Sequence, residues 1–231
     1  VAVPDNRLGT LTTISNSKKT IPAVVEFVDI AGLVKGAAEG EGLGNQFLSN
    51  IREVDMIAEV VRIFDDEDMI HVSGAVDPLA DIEVINLELI LTDLQTVSKR
   101  LATVESDVKR GDKEAVQAAT VLTRIREHLE TGKLARTLPM SDEEVTHIEA
   151  LQLLTWKPIL YVLNKKAGAF NFDEQHDERW VALMQFLEET NSDYVLVDAG
   201  VEHELKDLSE DEKQEFRREY GSQGSGIADL I

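Results

Sequence analysis

Two short segments hold residue types that could manage a phosphate ester and its counter-ion. In the first, Val24-Val25-Glu26-Phe27-Val28 runs into Asp29-Ile30-Ala31-Gly32. A β-branched run ending in Asp-x-x-Gly sets a carboxylate and a glycine where a parallel sheet offers its carboxyl edge to a ligand. Such a carboxylate can hold magnesium through water, and a glycine N–H with no side chain in the way can approach a terminal phosphate. Asp-x-x-Gly alone is a weak signal, because a strand followed by an Asp–Gly turn is common. The residues after it strengthen the signal: Gly32, Gly36, Gly40, Gly42 and Gly44 fall within thirteen residues, interleaved with Lys35, Glu39 and Glu41. A backbone so rich in glycine can rearrange around a ligand. A plain surface loop explains the glycines but not their place directly after an Asp-bearing strand end.

The second segment is Asn164-Lys165-Lys166-Ala167, which follows the apolar run 158–163, and nearby in pattern is Asp198-Ala199-Gly200 after the run 194–197. On residue types alone Asn-Lys-Lys-Ala reads first as a plain basic turn after a strand. His203 lies between Glu202 and Glu204 and reads as a solvated histidine at a helix start. His71, His128, His147 and His176 are scattered without metal-ligand spacing.

Loops of this kind need strands that end at them. Residues 20–29 and 56–64 read as strands, the first largely buried, with a short helix over about 44–54 between them. Residues 158–163 and 194–197 give two more, separated by a helix over about 177–190. The middle of the chain differs. Ile90, Leu94, Val97, Leu101, Val104 and Val108 recur at spacings of four and three, a heptad-like seam. Gly111-Asp112 interrupts it, and Ala115, Ala119, Leu122 and Leu129 share a face of a second helix. The pair predicts an antiparallel hairpin, a short coiled coil whose apolar stripes serve packing. Ser141 with Glu144, and Ser209 with Glu212, are capping boxes for two further helices. The fold class is therefore α/β, a parallel sheet with an inserted helical hairpin.

Composition narrows the function classes. At 231 residues and 43% hydrophobic content the chain can bury a sizeable core. No apolar run approaches the roughly 20 residues that span a bilayer, and no signal-peptide profile opens the chain, so a cytoplasmic location follows by default. Without cysteine there is no disulfide framework and no thiolate metal site. A formal net charge of −21 repels phosphate backbones and argues against non-specific DNA binding. No Gly-x-x-x-x-Gly-Lys-Ser/Thr occurs. The nearest pair, Gly132-Lys133, lacks the first glycine and the following hydroxyl and lies in the helical region.

The order Asp29-Ile30-Ala31-Gly32-Leu33-Val34-Lys35-Gly36-Ala37, continuing through Gly40-Glu41-Gly42-Leu43-Gly44-Asn45, resembles the second switch of the Obg-related GTP-binding proteins. Lys18-Lys19-Thr20-Ile21-Pro22, Ile51-Arg52-Glu53-Val54-Asp55, Val76-Asp77-Pro78 and Asp81-Ile82-Glu83-Val84-Ile85-Asn86 are similar to the Obg-like ATPase (YchF) subfamily, and the similarity runs from residue 1 to 231. The resemblance implies a phosphate-loop NTPase-type sheet. Residues 1–78 and 156–231 would be two parts of a nucleotide-binding domain, and 79–155 an inserted helical hairpin. It implies an ATP-hydrolysing switch, with GTP the lesser substrate, engaged by the ribosome or its large subunit.

Carried over by residue, Asp29 would be the magnesium-side carboxylate, Gly32 the γ-phosphate contact, and Asn164, Lys165 and Ala199 base-side contacts. Leu33 stands where Ras-like enzymes keep a water-orienting glutamine. Leucine can neither donate nor accept, so hydrolysis should be slow without an activator. Ala167 stands where guanine-specific relatives keep Asp and the Obg-like ATPases Glu, which removes the guanine-discriminating acceptor and leans the site towards adenine. Asp198 takes the place of a usual Ser. The family's phosphate loop, first switch and C-terminal TGS domain would lie outside these residues, so the chain reads as a fragment expected to bind ATP poorly by itself. The competing expectation is a non-catalytic interaction module, in which a degenerate nucleotide site supports a protein-binding hairpin.

Overall fold

The computed structural model describes residues 1–30, 43–66 and 76–206, and residues 208, 209, 212, 213, 215 and 230 beyond these, with the backbone alone for 43–47. In chain order the first elements are α1 (Arg7–Ile14), α2 (Leu43–Glu53), β1 (Ile57–Arg62), β2 (Phe64–Asp65), α3 (Pro78–Lys109) and α4 (Lys113–Glu130). The remainder are α5 (Asp142–Thr146), β3 (Ile159–Asn164), β4 (Phe170–Asn171), α6 (Phe172–Gln175), α7 (Glu178–Glu189), β5 (Asp193–Val197) and α8 (Ala199–Leu205).

The sheet is parallel, in the order β1-β3-β5. Ile57 faces Ile159 and Arg62 faces Asn164 in register, while Leu160 faces Asp193 and Asn164 faces Val197. β3 is central and reads Ile-Leu-Tyr-Val-Leu, a nearly continuous apolar run of the kind a parallel strand needs when both its faces are covered. β2 and β4 form a small antiparallel pair beside it. This register brings Asn164 and Val197 to one level, so the chain leaves β3 and β5 side by side at the same sheet edge.

The helical hairpin forms from local signals. Asp77 caps α3 by accepting from the Ala80 N–H at 3.1 Å, with Pro78 at the first helical position. Gly111, at φ +80°, makes the left-handed turn that ends the first arm. Asp112 then caps α4, accepting from Glu114 and Ala115. Ile90, Val97 and Val104 of the seam are buried, with Leu94 and Leu101 packed against them. On α4 the buried face is Ala118, Val121, Leu122, Ile125 and Leu129, rotated from the sequence expectation so that Ala115 is only half-buried. The longer branched residues take the seam, where they bury more apolar area than alanine does.

The core does not stop at the hairpin's foot. One cluster runs from Val61, Tyr161 and Leu163 of the sheet through Ile82, Ile90 and Val97 of α3 to Leu122 and Ile125 of α4. Polar ties fix the same junction. Asp93, fully buried in α3, accepts from the Leu154 N–H at 2.9 Å, the Thr155 N–H at 2.7 Å and the Thr155 hydroxyl at 2.7 Å. Arg52 of α2 reaches the Leu151 carbonyl at 3.2 Å and the Thr96 hydroxyl at 3.1 Å. The Lys157 ammonium donates to the Val54 carbonyl at 2.6 Å.

Residues 20–29 depart from the expectation of a largely buried strand. They are extended, but their pairing is an antiparallel bridge of Val24 to Ala2, with Val25 N–H on Val1 O and Val3 N–H on Ala23 O, each at 2.8 Å. Ile21, Val24 and Val28 are 68%, 69% and 53% exposed. Their β-branched composition fits a pleated surface, but burial comes from neighbours on both faces, and here the partner is the chain's own first residues. α1, which the sequence did not announce, buries none of its residues. No helix among the described residues is long and apolar enough to cross a membrane.

Candidate functional site

At the carboxyl ends of β3 and β5 two loops are tied to each other by main chain and side chain together. The Lys165 N–H donates to the Val197 carbonyl at 2.8 Å, continuing the strand ladder one residue into the loops. Asn164 turns its Oδ1 to the Ala199 N–H at 3.0 Å. Asp198 caps α8 by accepting from the Val201 N–H on Oδ1 at 3.0 Å, and its Oδ2 accepts from the Ala167 N–H at 2.6 Å. Asn164, Lys165, Ala167, Asp198 and Ala199 are thus one assembly. Ala167, Ala199 and Gly200 are exposed on its rim, and Asn164, Lys165 and Asp198 are half-buried.

The two lysines of the loop are not free cations. The Lys165 ammonium sits 2.7 Å from Asp173 Oδ2 and 2.6 Å from Glu174 Oε1. Burial works against its charge, but the hydrogen bonds to Asp173 and Glu174 outweigh it and raise its pKa. The same contact holds the Glu174 carboxyl below its ordinary range. Lys166 pairs with Asp66. Neither charge is left to attract an anion, so the loop's chemistry lies in its amides, carbonyls and the Asp198 carboxylate.

Asn171 holds the loop from beneath. It is buried, and its side chain copies a strand partner: Oδ1 accepts from the Lys166 N–H and Nδ2 donates to the Lys166 carbonyl, both at 3.0 Å. Gly168, at φ +77°, allows the turn between them. One step further out, Arg179 binds the β2–β4 pair to α7. It grips Asp65 at 3.1 and 2.8 Å and Asp177 at 2.8 and 3.0 Å, donates to the Val76 carbonyl at 3.0 Å, and lies 3.7 Å over the Phe172 ring. Its guanidinium holds the Asp177 carboxyl down to about 2.

Asp29 ends the extended segment with an exposed side chain. Among the described residues no hydrogen bond or ion pair links it to the two tied loops. Gly32 and Leu33 lie outside the described residues. His203 is exposed on α8, and no group of three or more His, Cys, Asp or Glu among the described residues is arranged to hold a metal ion.

This geometry sits in a chain with close relatives along its whole length. A ribosome-binding ATPase YchF of Bacillus subtilis is 46% identical over all 231 residues, and one of Escherichia coli O157:H7 is 42% identical over the same span. The solved structure of a Schizosaccharomyces pombe YchF GTPase superposes with a TM-score of 0.83 at 33% identity, again covering the whole chain. Along its whole length the chain is similar to the YchF proteins. It spans 63% of the Bacillus protein's length and 62% of the Escherichia and Schizosaccharomyces proteins. No family model matches it. The YchF fold accounts for the parallel sheet with long helices, as the resemblance implied.

Three parts of this candidate site were not foreseen. The Asp198–Ala167 bond joins residues 31 apart, and nothing in a sequence marks which side chain will cross between loops. Asn171 sits in Phe-Asn-Phe, where alternation alone does not say that the asparagine is inward. The acidic partners of Lys165 and Lys166 come from α6 and from beyond β2, and an excess of acids in the sequence hides which of them are paired.

Proposed function

We propose that the complete protein containing this chain is a magnesium-dependent nucleoside triphosphatase of the cytoplasm that works on the ribosome and prefers ATP to GTP. The observation that carries the reading is the pair of loops at the ends of β3 and β5, locked by Asn164 and Asp198, in a chain 46% identical to a ribosome-binding ATPase. Ligands of open α/β sheets bind at this edge. Asn164, Lys165 and Ala199 form the base side, Gly32 the γ-phosphate side, and Asp29 the metal side. Residues 79–155 are the inserted hairpin, and 1–78 and 156–231 the two parts of the nucleotide-binding domain.

Magnesium fits what the chain offers. It binds through one or two carboxylates with water and phosphate oxygens completing the shell, so it needs no protein cage. Asp29 supplies one exposed carboxylate of that kind. Bound there, the ion would neutralise charge on the phosphates. The lean towards ATP rests on Ala167, whose methyl group cannot accept a hydrogen bond from guanine.

The test is turnover of ATP and GTP by the complete gene product, with and without ribosomes and magnesium. ATP hydrolysis exceeding GTP hydrolysis, stimulated by ribosomes and lost in Asn164→Ala, supports the assignment. Absence of turnover under every condition refutes it and leaves the interaction module. Ala167→Glu reads the base side directly, and an unchanged ATP-to-GTP ratio in that variant would count against it.

A further inference from the structure

We propose that Asp198 is the specificity residue of this site, reading the exocyclic amino group of a purine base in place of the acid that position 167 lacks. The inference rests on the nucleotide-binding reading above. Ala167 presents only a methyl group, yet a carboxylate stands against its backbone: Asp198 Oδ2 lies 2.6 Å from the Ala167 nitrogen. The other oxygen is held 3.0 Å from the Val201 nitrogen, so both ends of the carboxylate are fixed, one on the loop after β3 and one on the first turn of α8. Each carboxylate oxygen can accept two hydrogen bonds. Among the described residues these two contacts use half of that capacity.

The carboxylate is not sealed from the rim. Asp198 is half-buried, while Ala167, Ala199 and Gly200 around it are exposed. Gly200 keeps the approach open, since a Cβ there would come within 3.3 Å of Asp198 Oδ1. An acceptor-only group, held rigid at the carboxyl edge of a parallel sheet, selects a ligand edge that carries N–H donors. Asn164 Oδ1 also accepts one bond, from the Ala199 N–H, but it is neutral, so the Asp198 carboxylate is the stronger acceptor for an N–H donor at this edge. The lysines beside it are committed to Asp66, Asp173 and Glu174. The ligand class is therefore an aminopurine nucleotide, and adenine and guanine share the recognised chemistry.

The experiment compares magnesium complexes of ATP with purine riboside triphosphate, and of GTP with inosine triphosphate. Each pair differs by one amino group, and binding to the complete gene product is measured by competition against a fluorescent nucleotide. The native protein should favour the amino-bearing member of at least one pair by about tenfold, and the pair that shows it identifies the base. D198N keeps an oxygen for the Val201 cap but loses the charge and one acceptor. In it that ratio should fall to within about twofold, with binding of the amino-lacking member changed by less than about twofold. A167D combined with D198N returns an acid from the other loop and should restore the ratio. Equal weakening of both members in D198N would overturn the inference, reducing Asp198 to a cap and tie while leaving the nucleotide site standing. A native ratio near one would overturn it as well. Failure of the native protein to bind any of the four overturns the function and the inference together.

Discussion

Replacing Glu59 by Gln should stabilise the chain, and by an amount that grows with pH. Glu59 lies on β1 opposite Tyr161, with its Oε2 buried and without a hydrogen-bond partner among the described residues. Burial, then the charge of Asp81, pushes its carboxyl up to about 8 from an ordinary 4.5. Across the pair, burial and then the Glu59 charge push the Tyr161 phenol up to about 12. Between pH 4.5 and 8 the folded chain therefore holds a proton at Glu59 that the unfolded chain releases. The folded state binds more protons over that window, so stability falls as pH rises through it. At pH 7 the full shift corresponds to roughly 3 kcal/mol. Because Glu59 keeps part of its surface open, about 2 kcal/mol is the realistic size.

Glutamine has the shape of the protonated acid and never charges. Urea unfolding, followed by the fluorescence of Trp156 and Trp180, would be measured at pH 5, 7 and 9 for both proteins. The variant should match the native chain to within about 0.5 kcal/mol at pH 5, lead by about 2 kcal/mol at pH 7, and lead by somewhat more at pH 9. A gap of the same size at all three pH values would refute the reasoning, because a packing effect carries no proton. Asp81→Asn should bring down the upper end of that window and shrink the native chain's total loss of stability, since it removes the second cause of the shift.

Two more outcomes are expected at the junctions. Asp93→Ala leaves three buried donors of residues 154 and 155 without their acceptor and should cost about 3 kcal/mol, read as a shift in the urea midpoint with the slope unchanged. Arg179→Lys keeps the charge but cannot span Asp65, Asp177 and the Val76 carbonyl at once, and it loses the flat stack on Phe172. About 2 kcal/mol of stability should go with it, which differential scanning calorimetry would show as a lower Tm.

What the sequence could tell depended on how local the cause was. The hairpin was legible because the heptad-like stripe and the Gly111-Asp112 break act within a few residues of themselves, as the Asp77 cap and Pro78 of the structure also do. The strands before Asn164 and Asp198 were legible as short apolar runs, and so were the loops at their ends. The run 20–29 carries the same β-branched signal, but its burial depends on what lies beside it, and no local pattern records that. Glu59 shows the same limit from the other direction. Alternation along β1 puts it on the face of Ile57 and Val61, while Val60 points outward at 68% exposure. A one-residue choice of face reverses every assignment on a strand, and a charged residue between apolar ones argues for the wrong face. At the candidate site, the loop opening at Asn164 was visible as a turn after an apolar run, but the crossing of Asp198 to Ala167 is a tertiary event between two strand ends that only the parallel register brings level.

The continuous core from the sheet into the hairpin has a mechanical meaning. α3 is 32 residues long, a rod of roughly 48 Å at helical rise, and its first half is packed against the sheet and pinned by Asp93. A rod so mounted converts angle into distance: a tilt of about 5° at the Pro78 end carries the far end through roughly 4 Å. Small adjustments of the sheet edge that carries the two tied loops would therefore arrive at the hairpin's tip enlarged, as they do at the end of a pointer, provided the sheet and α3 move as one body.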